Sequence, residues 1–170
     1  FKQIVYGKCP PLKKCEKVVT YVDSSPSNNR EKNSSSKAVI IIGLFEGKYY
    51  IYRVWLGKAT NREMVGWIGQ AYNYLDRGGI DAKKMFIENN SLQDPHFQQR
   101  KKADKFERLE NMADDNEDGN IIFNEKEKEN PMMVQMEDEW LGVSKDSKEM
   151  DGPDAVEGGK TMIDTRVVKD

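Results

Sequence analysis

The 170 residues hold one histidine, His96, and two cysteines, Cys9 and Cys15. A lone histidine excludes a histidine-based metal cluster and a histidine-pair mechanism, so nucleophilic hydrolysis of the serine or cysteine type has little support. The cysteines have five residues between them and no matching Cys or His pair. That spacing indicates neither a zinc site nor a disulfide framework, and free reduced thiols in a cytosolic protein are the expectation. Net charge is nearly absent too: 27 Lys and Arg against 29 Asp and Glu leave −2. There is no overall basic attraction for nucleic acid, so any DNA contact must come from local patches or another domain. No stretch approaches the roughly 20 apolar residues that cross a bilayer, and no signal-peptide pattern or Gly-rich Lys-Ser/Thr phosphate loop is present. The chain begins with Phe1 instead of Met, which is expected of a piece of a longer polypeptide.

What remains fits one α/β domain with a sizeable core. Residues 1–17 mix Lys, Cys and Pro-Pro without periodicity and read as a lead-in segment or interdomain remnant, so the domain is expected to span 18–170. Val18 to Val22 is β-branched and aromatic, hence a strand, and the Ser- and Asn-rich stretch from Asp23 to Lys37 a long loop. Ala38 to Phe45, the turn residues Glu46-Gly47, and Lys48 to Leu56 have hairpin grammar, giving three antiparallel strands. Apolar residues recur at helical spacing from Thr60 to Asp76, with Thr60 and Glu63 forming a capping box and Gly78-Gly79 a stop. Met85 to Ile87 is a short strand, and Asp94 to about Lys105 a second helix with Pro95 in its first turn. From Asn111 to Asp146 the chain is polar and acidic. A short strand at Ile121 to Phe123 and a helix from Met132 to Trp140 interrupt what reads as a solvated flank. This order implies a mixed β-sheet with helices packed on it.

Carboxylates stand where separate elements end: Asp23 after one apolar run, Glu88 after another, and Asp151 with Asp154 near the C-terminus. Brought together, such groups repel one another and are neutralised by hard divalent cations such as magnesium or manganese. Two such ions suit phosphodiester hydrolysis, because one activates water while the other stabilises the leaving oxygen. Metal-dependent phosphodiester cleavage is the leading reading. Asp23 is expected to bridge both ions, Glu88 to hold one and Asp151 the other, with Asp154 three residues later on the same helical face as a supporting or alternate ligand. Arg100, Lys101 and Lys102, continuing to Lys105 and Arg108, form the densest basic run, and Arg30, Lys32 and Lys37 line the loop after Asp23. Both groups are candidates to grip DNA phosphates without reading bases.

The competing motif runs from Asp114 to Glu125. Asp114, Asn116, Asp118, Gly119, Ile121 and Glu125 match positions one, three, five, six, eight and twelve of an EF-hand loop. A non-catalytic calcium-binding module is therefore a rival. Its entering helix, through Phe106, Leu109 and Met112, is fair, and its exit before Pro131 is poor.

The segments VVTYVDSSPS, VIIIGLFEGKYYIYRVW, MFIENNSLQDPHF and DGPDAVEGG, in that order and spacing, resemble the nuclease domain of the large terminase subunit of tailed bacteriophages, from about residue 18 to the end. In that family a strand ends in Asp, a hairpin follows, a later strand ends in an acid followed by Asn, and an Asp-x-x-Asp-Ala motif opens a final helix. Asp23, Glu88 and Asp151 match those positions. Two departures stand out: Asn33 to Lys37 carries no acid where the family often has one, and Met150 replaces the first Asp of a common pair. The resemblance implies a ribonuclease H-like fold and a DNA endonuclease using two magnesium or manganese ions to cut concatemeric viral DNA into packaged lengths. It further implies an ATPase domain in the full-length protein, portal and small terminase subunit as partners, double-stranded DNA as substrate and no membrane. Its place would be the cytoplasm of the infected bacterial host, transiently at the procapsid portal. Another ribonuclease H-like enzyme, a resolvase or transposase core, would share the carboxylates without the Gln-Asp-Pro and Asp-Ala-Val-Glu-Gly sequences.

Overall fold

The computed structural model describes residues 1–24, 34–89, 106–145, 147 and 150–167. Among these residues six strands, β1 (Tyr6–Gly7), β2 (Lys17–Ser24), β3 (Ser34–Phe45), β4 (Lys48–Thr60), β5 (Met85–Asn89) and β6 (Ile121–Asn124), form one sheet in the order β1-β6-β4-β3-β2-β5. The central β2, β3 and β4 are antiparallel, whereas β5 lies parallel to β2 and β6 parallel to β4. This is the expected mixed sheet.

Ala38 to Ile42 are all fully buried because both faces of the sheet are covered. Ala38, Ile40 and Ile42 point to one core; Val39 and Ile41 point to the other. A centrally placed strand buried on both sides reads as an unbroken apolar run instead of an alternating one. The hairpin turns at Glu46 and Gly47, both with positive φ (49° and 77°), the pairing that suits the right-handed twist of the flanking strands. Helix α1 (Asn61–Arg77) covers the second core with Ala71 and Leu75 and begins with the expected capping box: Glu63 N–H donates to Thr60 Oγ1 at 3.1 Å, and Thr60 N–H to Glu63 Oε1 at 3.2 Å. The opposite face carries the helical turn α2 (residues 106–110), α3 (Ala113–Glu117), α4 (Pro131–Leu141) and α5 (Asp151–Thr165). The second helix expected from Asp94 to about Lys105 lies outside the described residues.

Two expectations are revised. Ordered structure starts well before Val18: β1 pairs with β6, the Phe1 ring packs 4.6 Å from that of Trp140, and Leu12 is buried beneath the end of α1. The Tyr52 hydroxyl donates to the Pro10 carbonyl at 2.6 Å and so ties this segment to the sheet. Its apolar residues show no period because each meets a different partner. The stretch from Asn111 to Asp146 is also more than a solvated flank. Phe123, Met133, Met136 and Trp140 are fully buried in the larger core, the last three along one face of α4.

Candidate metal centre

Strands β2 and β5 run parallel with Asp23 registered beside Glu88, so the two carboxylates leave the sheet together at the carboxyl ends of neighbouring strands. Open α/β sheets gather ligands at such ends. The third carboxylate comes from the first turn of α5. Oxygens of Asp23, Glu88 and Asp154 all lie within 4.8 Å of one another. Asp23 is 1% exposed and Asp154 3%, while Glu88 is half-buried and completes the open side.

The sequence builds this seat through small residues. A Cβ on Gly158 would lie 2.3 Å from the Tyr21 ring, one on Gly159 2.8 Å from Ile42, and one on Gly152 2.7 Å from the Met136 sulfur. Only hydrogen at these positions lets α5 approach β2, β3 and α4 closely enough to lower Asp154 onto Asp23. The buried Glu139 of α4 accepts a 3.0 Å bond from Gly152 N–H, satisfying one of the orphan donors at the start of α5. Gln135 holds the other Glu139 oxygen at 3.1 Å. The helix N-terminus adds its own partial positive charge beside Asp154.

Among the expected ligands, Asp23, Glu88 and Asp154 converge, whereas Asp151 sits half-buried at the first residue of α5, outside that three-carboxylate group. Of the Asp151–Asp154 pair it is Asp154, one turn further into α5 and 3% exposed, that the geometry brings to Asp23 and Glu88, a choice the linear motif does not make. Two groups, Tyr21 and Glu157, escaped the sequence reading, and a third, Arg108, was read there only as the end of a basic run. Tyr21 donates its hydroxyl to Glu88 Oε2 at 3.3 Å, and burial together with the charges of Glu88, Asp23 and Asp154 raises its pKa, so it remains a donor. Glu157, one turn beyond Asp154, has its carboxyl pushed above the usual range by burial, against the pull of a 2.9 Å bond from Thr161 and of Arg108. Arg108 of α2 pairs with both, its guanidinium 3.5 Å from Asp154 Oδ1 and 3.9 Å from Glu157 Oε2. The i, i+3 spacing of Asp154 and Glu157 was a legible signal; the position of Arg108 was not.

The remaining candidates fall elsewhere. Lys37 is 2% exposed, its amine donating to the Ala59 carbonyl at 2.5 Å and its pKa lowered by burial. It is turned into the α1 side of the sheet because Lys37, Val39 and Ile41 share a strand face. Arg30, Lys32, His96, Arg100, Lys101 and Lys102 lie outside the described residues. The Asp114 to Glu125 segment is no wrapped loop. Its first part is the helix α3, where Asn116 is buried and donates to the Gln3 carbonyl at 2.9 Å. Asp114 and Asp118 are exposed, and Glu125 opens an exposed 3-10 turn after β6. An EF-hand needs these side chains turned inward around one ion. Both cysteines are free thiols. Among the described residues no helix is long and apolar enough to cross a membrane.

Three all-oxygen ligands, two of them withdrawn from water, fit a hard divalent cation. The protein's fold matches solved terminase nucleases. The human cytomegalovirus terminase nuclease domain superimposes with a TM-score of 0.63 at 14% identity, over 87% of this chain and 83% of that one. A manganese-soaked form of that domain gives 0.57 at 14% identity, over 86% and 83%. The large terminase of a thermophilic bacteriophage gives 0.57 at 13% identity, over 95% of this chain, which spans 42% of that protein. No family model and no curated protein sequence matches the chain. The expected α/β fold, a mixed sheet flanked by helices, is therefore the one observed, and it is similar to that of solved terminase nuclease domains.

Proposed function

We propose that the chain is a magnesium- or manganese-dependent DNA endonuclease, the nuclease portion of a phage packaging motor that cuts concatemeric DNA. The observation that carries this reading is the convergence of Asp23, Glu88 and Asp154 at the carboxyl ends of β2 and β5 in a fold shared with terminase nucleases. Asp23, Glu88 and Asp154 would hold the ions, with Asp151 as an alternate ligand at the mouth. Bound there, two divalent cations supply an activated water and charge neutralisation on the phosphate and leaving oxygen. The chain itself contributes rigidity. Tyr21 orients the Glu88 carboxylate, and Glu139 with the three glycines fixes the height of α5, so the ligands are set before substrate arrives.

The manganese used with the cytomegalovirus domain supports the choice of ion; this chain spans 42% of the thermophilic phage's large terminase, and an ATPase domain in the whole protein is part of the proposal. Portal and small terminase subunit as partners, and a cytoplasmic site of action in an infected bacterium, complete the proposal. Supercoiled plasmid incubated with the protein should be nicked and linearised in magnesium or manganese and left intact in chelator. Asp23→Asn should abolish cutting while the fold survives, since losing one carboxylate also relieves repulsion. Full cleavage by Asp23→Asn would refute the assignment.

A further inference from the structure

We propose that Arg108 is a substrate-phosphate ligand of this site, held on Asp154 and Glu157 until cations and DNA arrive. The inference rests on the nuclease reading and deepens it. Leu109, fully buried, and Phe106 anchor α2 in the larger core, which aims the neighbouring Arg108 across the first turns of α5. There the guanidinium lies 3.5 Å from one proposed metal ligand and 3.9 Å from Glu157, while its side chain keeps 37% exposure. The guanidinium thus meets buried carboxylates while the side chain as a whole stays partly accessible.

Arginine suits both duties. Its planar fork carries several N–H donors, so some can be held by carboxylates while others take a phosphate, and it stays charged throughout. Repulsion supplies the exchange: once Asp154 is shared with a cation, its attraction for a guanidinium at this distance is cancelled or reversed. The next anion within reach is the backbone phosphate of the duplex. Glu157 retains part of its hold and limits how far the side chain swings, which makes Glu157 a positioning residue.

The test uses the chain with Arg108→Gln and Arg108→Lys. Manganese affinity is measured calorimetrically without DNA. Binding of a fluorescent duplex is then followed in calcium, as substitute ion, over a salt series. Arg108→Gln should bind manganese several-fold more tightly, because no guanidinium competes for Asp154. It should bind duplex about ten-fold more weakly, with the slope of log affinity against log salt reduced by about one. Arg108→Lys should restore most of the slope, a point charge being enough for that, and little of the cleavage rate. Unchanged duplex affinity and slope in Arg108→Gln would overturn the proposal. So would a fall in manganese affinity, which would make Arg108 only a brace for Asp154. Asp23→Asn run in parallel separates the two levels: if it is inactive while Arg108→Gln binds and cuts normally, only the Arg108 assignment fails; if Asp23→Asn also cuts normally, the nuclease reading fails first.

Discussion

Asp151 and Asp154 differ by three positions and by most of their solvent exposure, and that difference makes opposite predictions for them. Asp154→Asn removes an inward carboxylate of the cluster and should lower cleavage at saturating metal and DNA by on the order of 100-fold or more. Asp151→Asn, at the rim, should cost less than about ten-fold. Steady-state plasmid cleavage by the two variants checks the order, and equal losses would mean that both carboxylates hold ions. The same contrast between chemical type and environment applies to the thiols. Burial pushes the Cys9 pKa up to about 12. Its reactive thiolate is then scarcer than that of a free cysteine by two to three orders of magnitude, roughly, at pH 8. Disulfide-exchange labelling of the native chain should therefore be slower by about 100- to 1,000-fold at Cys9 than in the unfolded chain, and should accelerate as pH rises toward 12.

At the scale of elements, the decisive object is the seat of α5. Helix propensity alone argues against a helix carrying Gly152, Pro153, Gly158 and Gly159 within fifteen residues. Proline is tolerated because it falls in the first turn, and the glycines because close packing against Tyr21, Ile42, Leu56 and Met136 recovers what propensity loses. Gly158→Ala should accordingly destabilise the protein by about 1–3 kcal/mol, despite improving intrinsic helix propensity, because its methyl collides with the Tyr21 ring. It should also weaken manganese binding by lifting Asp154 from Asp23. Urea unfolding and calorimetric titration read the two effects; a stabilised variant with intact metal binding would show that α5 tolerates a wider gap.

The whole molecule is a two-faced sheet whose rim is closed by its first sixteen residues. Leu12 plugs the end of α1, β1 extends the sheet beyond β6, and the Phe1 ring packs tilted against Trp140, which in turn meets Phe123 edge-on with ring centroids 5.0 Å apart. Deleting residues 1–16 should thus cost at least about 3 kcal/mol of unfolding free energy, given the apolar side chains removed or uncovered. The loss would be spread over both cores without touching the carboxylates. Chemical denaturation should show it as a lower midpoint, and an unchanged midpoint would mean that the segment is only draped on the surface. Cleavage per folded molecule should be retained.

The hairpin, the capped α1, and Asp23 and Glu88 at strand ends were legible along the chain, because a strand's two faces and a helix's first turn are local properties with local signals. The acidic character of the candidate metal centre was legible as well, since carboxylates recur at the ends of separate elements here. Which aspartate of the Asp151–Asp154 pair turns inward, which charged groups surround it, and whether Lys37 faces solvent depended on contacts between residues distant in sequence. Asp154 faces Asp23 only because Gly158 and Gly159 seat α5 on β2 and β3, and Lys37 is buried because α1 covers that face of β3. The Asp114 to Glu125 segment shows the same limit: it satisfies a twelve-residue ligand pattern, yet packing of Asn116 on Gln3 and Phe123 on Trp140 makes it a helix and a strand. A pattern of residue types states which atoms are available; burial and long-range packing choose which of them meet.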